Sequence, residues 1–292
     1  MRLLVQAARA AVMAIATSAG SLAAAAPVQI VAAENFYGDI AAQIGGPRVA
    51  VHSILNNPQQ DPHMFEASPS VARALTHAHL VIYNGAGYDP WMDKILSATP
   101  GQERRIIVAS QLMETPPGAN PHLWYDPRTM PKVATAITDA LSGLDPEGRP
   151  TYQGNLAHVL RALDELQHTI SALRTRHAGI PVTATEPVCG YLSDALGFTM
   201  RNQALQLAVM NDTEPSPSQI RAFEDDLKTG QVKLLFYNSQ EEDSFTKRVK
   251  HIAEEHHVPI VGVTETMPDG LTFQSWLRGQ LSDIAAKLGD HP

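Results

Sequence analysis

The chain has 292 residues, with 30 Asp+Glu against 22 Lys+Arg, a formal net charge of −8 and a single cysteine, Cys189. The acidic balance argues against nucleic acid or an anionic membrane surface as partner, and it is compatible with attracting cations. One cysteine forms no disulfide within the chain, so an apolar core must stabilise the fold, and the length is sufficient for one or two lobes.

In chain order, residues 1–25 come first, with Arg2 and Arg9, no acid, and an alanine-rich apolar run. This pattern predicts a secretory signal peptide cut after Ala25. No cysteine lies near that cut, so the expectation is a periplasmic protein without a lipid anchor. "VQIVAAE" (28–34) reads as a strand, and "YGDIAAQIGG" as a helix ended by Gly45 and Gly46. Further strands follow at "RVAVHSIL" (48–55), "HLVIYNGAG" (79–87) and "RRIIVAS" (104–110). Residues 150–179 carry Leu156, Leu160, Leu163, Leu166, Ile170 and Leu173 at spacings of three and four, a helical stripe. Some 26 residues of helix are roughly 39 Å long, enough to span two lobes. Strands then resume at "IPVTATE" (180–186), "VKLLFYN" (232–238) and "VPIVGVTE" (258–265), each followed by a helical segment. The predicted class is α/β: two lobes, each a mostly parallel sheet flanked by helices, bridged by one long helix. The predicted boundaries are 1–25 for the signal peptide, 26–149 for the first lobe, 150–178 for the linking helix and 179–292 for the second lobe.

Two histidines stand in matching settings. His63 in "QQDPHMFEASPS" and His122 in "NPHLWYDPRTM" each follow a proline and precede a helix start. Glu186 and Glu265 close predicted strands of the second lobe. Open α/β sheets bind ligands beyond the carboxyl ends of their strands. Two imidazoles and two carboxylates make a first shell for zinc, and with bidentate carboxylates they also suit manganese. Taken singly, each of the four also fits a solvated residue at a helix start or strand end. Asp61, Glu66 and Asp126 are candidates to orient the imidazoles. Asn84 and Asn238, at strand ends, are candidates to line the cleft. Cys189 reads as a small buried hydrophobe rather than a ligand.

The segments "DPHMFEASPSVARALTHAHLVIYNGAGYDPWMDKIL", "NPHLWYDPRTMPKVATAITDAL", "ATEPVCGYLSDALGF", "EPSPSQI" and "VGVTETMPDG" occur in this order. Together they resemble the periplasmic metal-binding component of zinc/manganese ABC importers, the ZnuA/TroA-like or cluster A-I family. The resemblance implies two lobes around a rigid helix and one divalent ion, zinc or manganese, in the cleft. It also implies a monomer that delivers the ion to an inner-membrane ABC permease with its ATPase. The ligand positions fall on His63, His122, Glu186 and Glu265. Three departures stand out: "METPPGANPH" replaces a His-rich loop, Asn120 stands where aspartate is usual, and Glu265 is longer than the usual aspartate. Glu186 and the absent His-rich loop lean toward manganese, whereas the Irving–Williams order leans toward zinc. A metal-dependent hydrolase and an exported adhesin with a structural metal are the rival classes. The hydrolase lacks a His-Glu-x-x-His helix and any grouped base or nucleophile.

Overall fold

Strand and helix alternate through the chain because short Val/Ile/Leu runs, buried on both faces, are separated by amphipathic segments with proline or serine starts. The computed structural model describes residues 26–57, 65–99, 104–211, 213–240 and 243–290. The first half contains β1 (Val28–Glu34), α1 (Asn35–Gly45), β2 (Val49–Leu55), α2 (Pro69–His77), β3 (Leu80–Tyr83), α3 (Pro90–Ala98), β4 (Arg105–Val108), α4 (Ala109–Leu112) and α5 (Thr129–Leu144). A 29-residue helix, α6 (Arg149–His177), follows. The second half contains β5 (Pro181–Ala184), α7 (Gly190–Ala195), β6 (Thr199–Met200), α8 (Gln203–Met210), α9 (Pro217–Lys228), β7 (Leu235–Asn238), α10 (Ser244–Glu255), β8 (Ile260–Val263) and α11 (Phe273–Lys287).

The two sheets have one topology. Their strand orders are β2-β1-β3-β4 and β6-β5-β7-β8, and every pairing is parallel. In each sheet the order reverses between two neighbours in space, β1 and β3 in the first and β5 and β7 in the second, where open parallel sheets hold ligands. Continuing the pairings Ala32↔Ile82 and Ala184↔Phe236 by two residues sets Glu34 level with Asn84, and Glu186 level with Asn238. The sequence repeats accordingly: Tyr83-Asn84 precedes Asp89 as Tyr237-Asn238 precedes Asp243.

One apolar core runs through both sheets. The inner face of the first sheet packs with α1, α5 and α6, and the same cluster continues through Val182, Phe236 and Val261 to Leu281 and Ile284 of α11. Separate clusters cover the outer faces, under α2 and α3 in one lobe and under α9 and α10 in the other. From Leu163 onward the buried face of α6 is the predicted stripe; its first half instead buries Tyr152 and Val159. Leu156 and Leu160 are only half-buried there.

Polar bonds join the lobes on two sides. Residues at four-residue spacing on α1 reach the second lobe, as helical periodicity requires. Asn35 exchanges two hydrogen bonds with the Met267 backbone at 2.7 and 3.0 Å. Asp39 accepts from the Phe273 amide at 2.8 Å, and Gln43 and Gln274 bond reciprocally at 2.9 and 3.0 Å. On the other side, the Tyr125 hydroxyl donates to the Thr264 carbonyl at 2.9 Å, and Asn120 Nδ2 donates to the Pro187 carbonyl at 2.7 Å.

The strands are shorter than the apolar runs suggest. β5 ends at Ala184 and β8 at Val263, so Glu186 and Glu265 each lie two residues beyond a strand end. Strand β6 and helix α8 carry no clear sequence signal: β6 has two residues and α8 follows Asn202 in a left-handed conformation.

Candidate metal centre

His122 is presented by a short 3₁₀ turn, Leu123–Tyr125, whose three side chains are all buried. Asn84, just past β3, fixes the chain before it. Its Nδ2 donates to the Pro121 carbonyl at 2.8 Å, and its Oδ1 accepts from the Tyr37 hydroxyl at 2.8 Å. The imidazole is oriented by Asn120, whose Oδ1 lies 2.6 Å from His122 Nδ1. Because Asn120 Nδ2 faces the Pro187 carbonyl, the oxygen must be the atom facing the ring. An acceptor at that distance places the ring proton on Nδ1 and leaves the Nε2 lone pair available. That is the tautomer a metal ligand needs. Nε2 is fully buried, has no hydrogen-bond partner among the described residues, and lies 3.5 Å from Glu265 Oε2.

Glu265 is held from behind. Asn238 Nδ2 donates to its Oε1 at 2.7 Å, and Gln240 Oε1 accepts from the Glu265 backbone amide and from the Thr266 amide. The same Asn238 amide reaches Glu186 Oε2 at 3.4 Å. Its orientation is also forced, since Asn238 Oδ1 accepts from the Gln240 amide at 3.1 Å. Thus His122 and Glu265 touch, and Glu186 joins them through one side-chain amide. Glu186 is nearly buried and Glu265 wholly so. Among the described residues, no three His, Cys, Asp or Glu side chains already converge as a complete metal cage. His63 and Asp61 lie outside the described residues.

The imidazole partner is therefore Asn120, not an acid. Asp126 is committed to Arg128, with contacts of 2.6 to 3.1 Å, and Glu66 is exposed. Cys189 is buried, and burial pushes its thiol up to about 12, which suits a packed hydrophobe rather than a thiolate.

Beneath the His122 ring lies a second acidic group with little sequence signal. Glu34, Asp89 and Tyr88 are all buried, and Tyr88 packs against the His122 ring at a centroid distance of 5.9 Å. The Asp89 carboxylate accepts the Asn84 and Gly85 amides, each at 2.7 Å. Gly85 takes φ +71°, and a Cβ there would strike Ser110, so this turn requires glycine. Among the described residues no hydrogen bond reaches either Glu34 oxygen, and the neighbouring Asp89 carboxyl favours the protonated form of Glu34. Burial first, then the Asp89 charge, holds the Glu34 carboxyl well above its usual range, and burial raises Asp89 to about 6. Burial, followed by the charges of Glu265 and Glu34, likewise raises the Tyr88 hydroxyl well above its ordinary value. Buried carboxyl groups thus gather around the His122 ring, and a cation beside them favours their ionised forms.

The model of the family described as zinc-uptake complex component A, periplasmic (ZnuA), matches residues 30–287, most of the chain. The chain belongs to this family. The manganese ABC transporter substrate-binding lipoprotein PsaA of Streptococcus mitis is 24% identical over 285 residues, covering 89% of each chain. The manganese-binding lipoprotein MntA of Halalkalibacterium halodurans is 26% identical over 252 residues, covering 81% of each. The periplasmic zinc binding protein TroA from Treponema pallidum superposes with a TM-score of 0.76 at 19% identity, covering 90% of this chain and 99% of that one. The expected two-lobed fold around a long helix is thus the observed one. This ZnuA-family chain is the extracytoplasmic substrate-binding component of a metal ABC importer, working with a permease and ATPase, and it is not an enzyme. Its cargo is a zinc or manganese ion.

Proposed function

We propose that this chain captures one divalent ion between its lobes through His63, His122, Glu186 and Glu265, and presents it as a monomer to an inner-membrane permease. The observation that carries this reading is the buried His122 Nε2, with its lone pair aimed at the Glu265 carboxylate 3.5 Å away. A buried imidazole nitrogen close to two buried carboxylates that share one amide is a donor set suited to a dication. The division into lobes at 26–149 and 179–292, with 150–178 between them, belongs to the same reading. So does removal of residues 1–25 to leave a free periplasmic protein that does not engage nucleic acid. In lacking a cysteine near the cut it would differ from the relatives named lipoproteins.

The continuous core and the α1 bonds to Met267, Phe273 and Gln274 support nearly rigid lobes. Release then proceeds by loosening a liganding loop rather than by wide opening of the cleft. Competitive titration of metal-stripped protein with zinc and manganese tests the reading. One ion per chain is expected, with affinity falling as pH drops through about 6.5, where a free imidazole gains its proton. Binding that needs several ions per chain, or that is flat between about pH 7.5 and 5.5, would contradict it.

A further inference from the structure

The reading above leaves open how many oxygen atoms the two glutamates give the ion. Asn238 bears on that question directly. Its oxygen is occupied by the Gln240 amide, so its NH₂ group must face the carboxylates, and an NH₂ group has two protons to give. One goes to Glu265 Oε1 at 2.7 Å, and the other reaches Glu186 Oε2 at 3.4 Å. The remaining Glu265 oxygen, Oε2, is the one turned toward His122 Nε2.

We propose that Asn238 sets the coordination number of the cargo by committing Glu265 and Glu186 to one metal-facing oxygen each. This rests on the proposed metal site. Glu265 Oε1, held at 2.7 Å, is the firmly committed oxygen and Glu186 Oε2, at 3.4 Å, the more weakly held one; turning either fully onto the ion weakens its bond to Asn238. His122 Nε2, one oxygen of Glu265 and one oxygen of Glu186 supply three donors, and one more donor closes a tetrahedron. Zinc accepts four-coordinate N/O shells, whereas manganese prefers about six donors, which two bidentate glutamates together with two imidazoles would provide. Asn238 is in this sense a positioning residue that favours zinc, even though the carboxylate at Glu186 looks manganese-like.

The β-strand geometry supports an assigned role rather than an incidental contact. Asn238 is the last residue of β7, at the point where the strand order of the second sheet reverses, level with Glu186. Its counterpart in the first sheet, Asn84, likewise uses its amide to fix a site element, the Pro121 carbonyl ahead of His122.

The test combines X-ray absorption at the metal edge with competitive zinc/manganese titration, on wild-type protein and on Asn238→Leu and Asn238→Ala. In wild-type protein the zinc spectrum is expected to give about four N/O neighbours near 2.0 Å with monodentate carboxylates. Both variants are expected to lose roughly tenfold of the zinc-over-manganese preference, the size of effect typical of residues that orient ligands. Bidentate glutamates in the wild-type spectrum would overturn the proposal, whether or not the variants fold. So would an unchanged metal preference in folded variants. Failure of wild-type protein to bind one ion would instead overturn the metal site itself.

Discussion

His122→Ala lowers the affinity for zinc or manganese by about a hundred- to a thousand-fold while the metal-free protein keeps its secondary structure. The size follows from structural zinc sites, whose binding free energy of about 10–16 kcal/mol is shared among four ligands, so that one ligand is worth roughly 3 kcal/mol. The fold survives because the ring, although it packs edge-on against Trp124 and Tyr88 at 5.3 and 5.9 Å, is one member of a larger aromatic cluster. Its polar contacts are Asn120 and Glu265, and in its absence Trp124 retains its contacts with Phe36 and Tyr88, at 4.8 and 4.7 Å. Asn120→Ala provides the graded comparison. It leaves Nε2 in place but frees the ring to rotate and to change tautomer, so the loss should be about ten- to a hundred-fold. Isothermal titration of the three proteins checks the order. Affinity in His122→Ala within a few-fold of wild type would remove His122 from the site.

The second large effect concerns stability rather than binding. Glu34 and Asp89 have folded-state pKa values raised above their unfolded ones, by burial and by their proximity. A raised pKa means that the folded chain holds a proton the unfolded chain has already lost. This contribution is therefore fully present below about pH 4 and fades as pH rises through about 6 and beyond. Asp145 and Asp226 act in the opposite sense and in another window. Hydrogen bonds to Arg48 hold Asp145 well below the usual range, and those to Arg201 outweigh burial at Asp226, so their contribution is lost only as pH falls below about 4. Metal-free protein should thus melt about 5 °C lower at pH 8 than at pH 5 on account of the buried pair. Glu34→Gln keeps a donor toward Asp89 but cannot ionise, and its melting temperature should fall by less over the same interval. The histidines are common to both proteins, so the difference between the two profiles isolates Glu34. Parallel profiles would show that the pair does not share a proton.

Much of this architecture is legible in the sequence because burial on both faces turns each strand into a continuous apolar run, and proline or glycine marks many of the helix boundaries. The limits of such reading are physical too. Val232 and Leu234 are as apolar and as buried as strand residues, yet they lie before β7, although the Leu234 carbonyl accepts from the Thr183 amide of β5 at 3.0 Å. In the site, His122 and Glu265 are recognisable from their places after a proline and beyond a strand end. The role of Asn120 is not, since an amide before Pro-His looks like any turn residue until its other end is seen on Pro187. Nor is the Glu34–Asp89 pair, whose members are 55 positions apart and resemble ordinary acids at the start of helices. Asn84 and Asn238 are legible as strand-end residues that could line the cleft, and the repeat of Tyr-Asn and a following Asp ties them together only with the structure in hand. Three matching residues carry little weight until the parallel strand orders place them at equivalent sites.

The central claim is that one metal ion sits between the lobes on His122 and Glu265. Diffraction from zinc-loaded crystals at wavelengths on either side of the zinc edge tests it most directly. The account predicts a single strong anomalous peak per chain, about 2 Å from His122 Nε2 and from a Glu265 oxygen. A peak located elsewhere on the molecule, or several weak surface peaks with none beside His122, would contradict it.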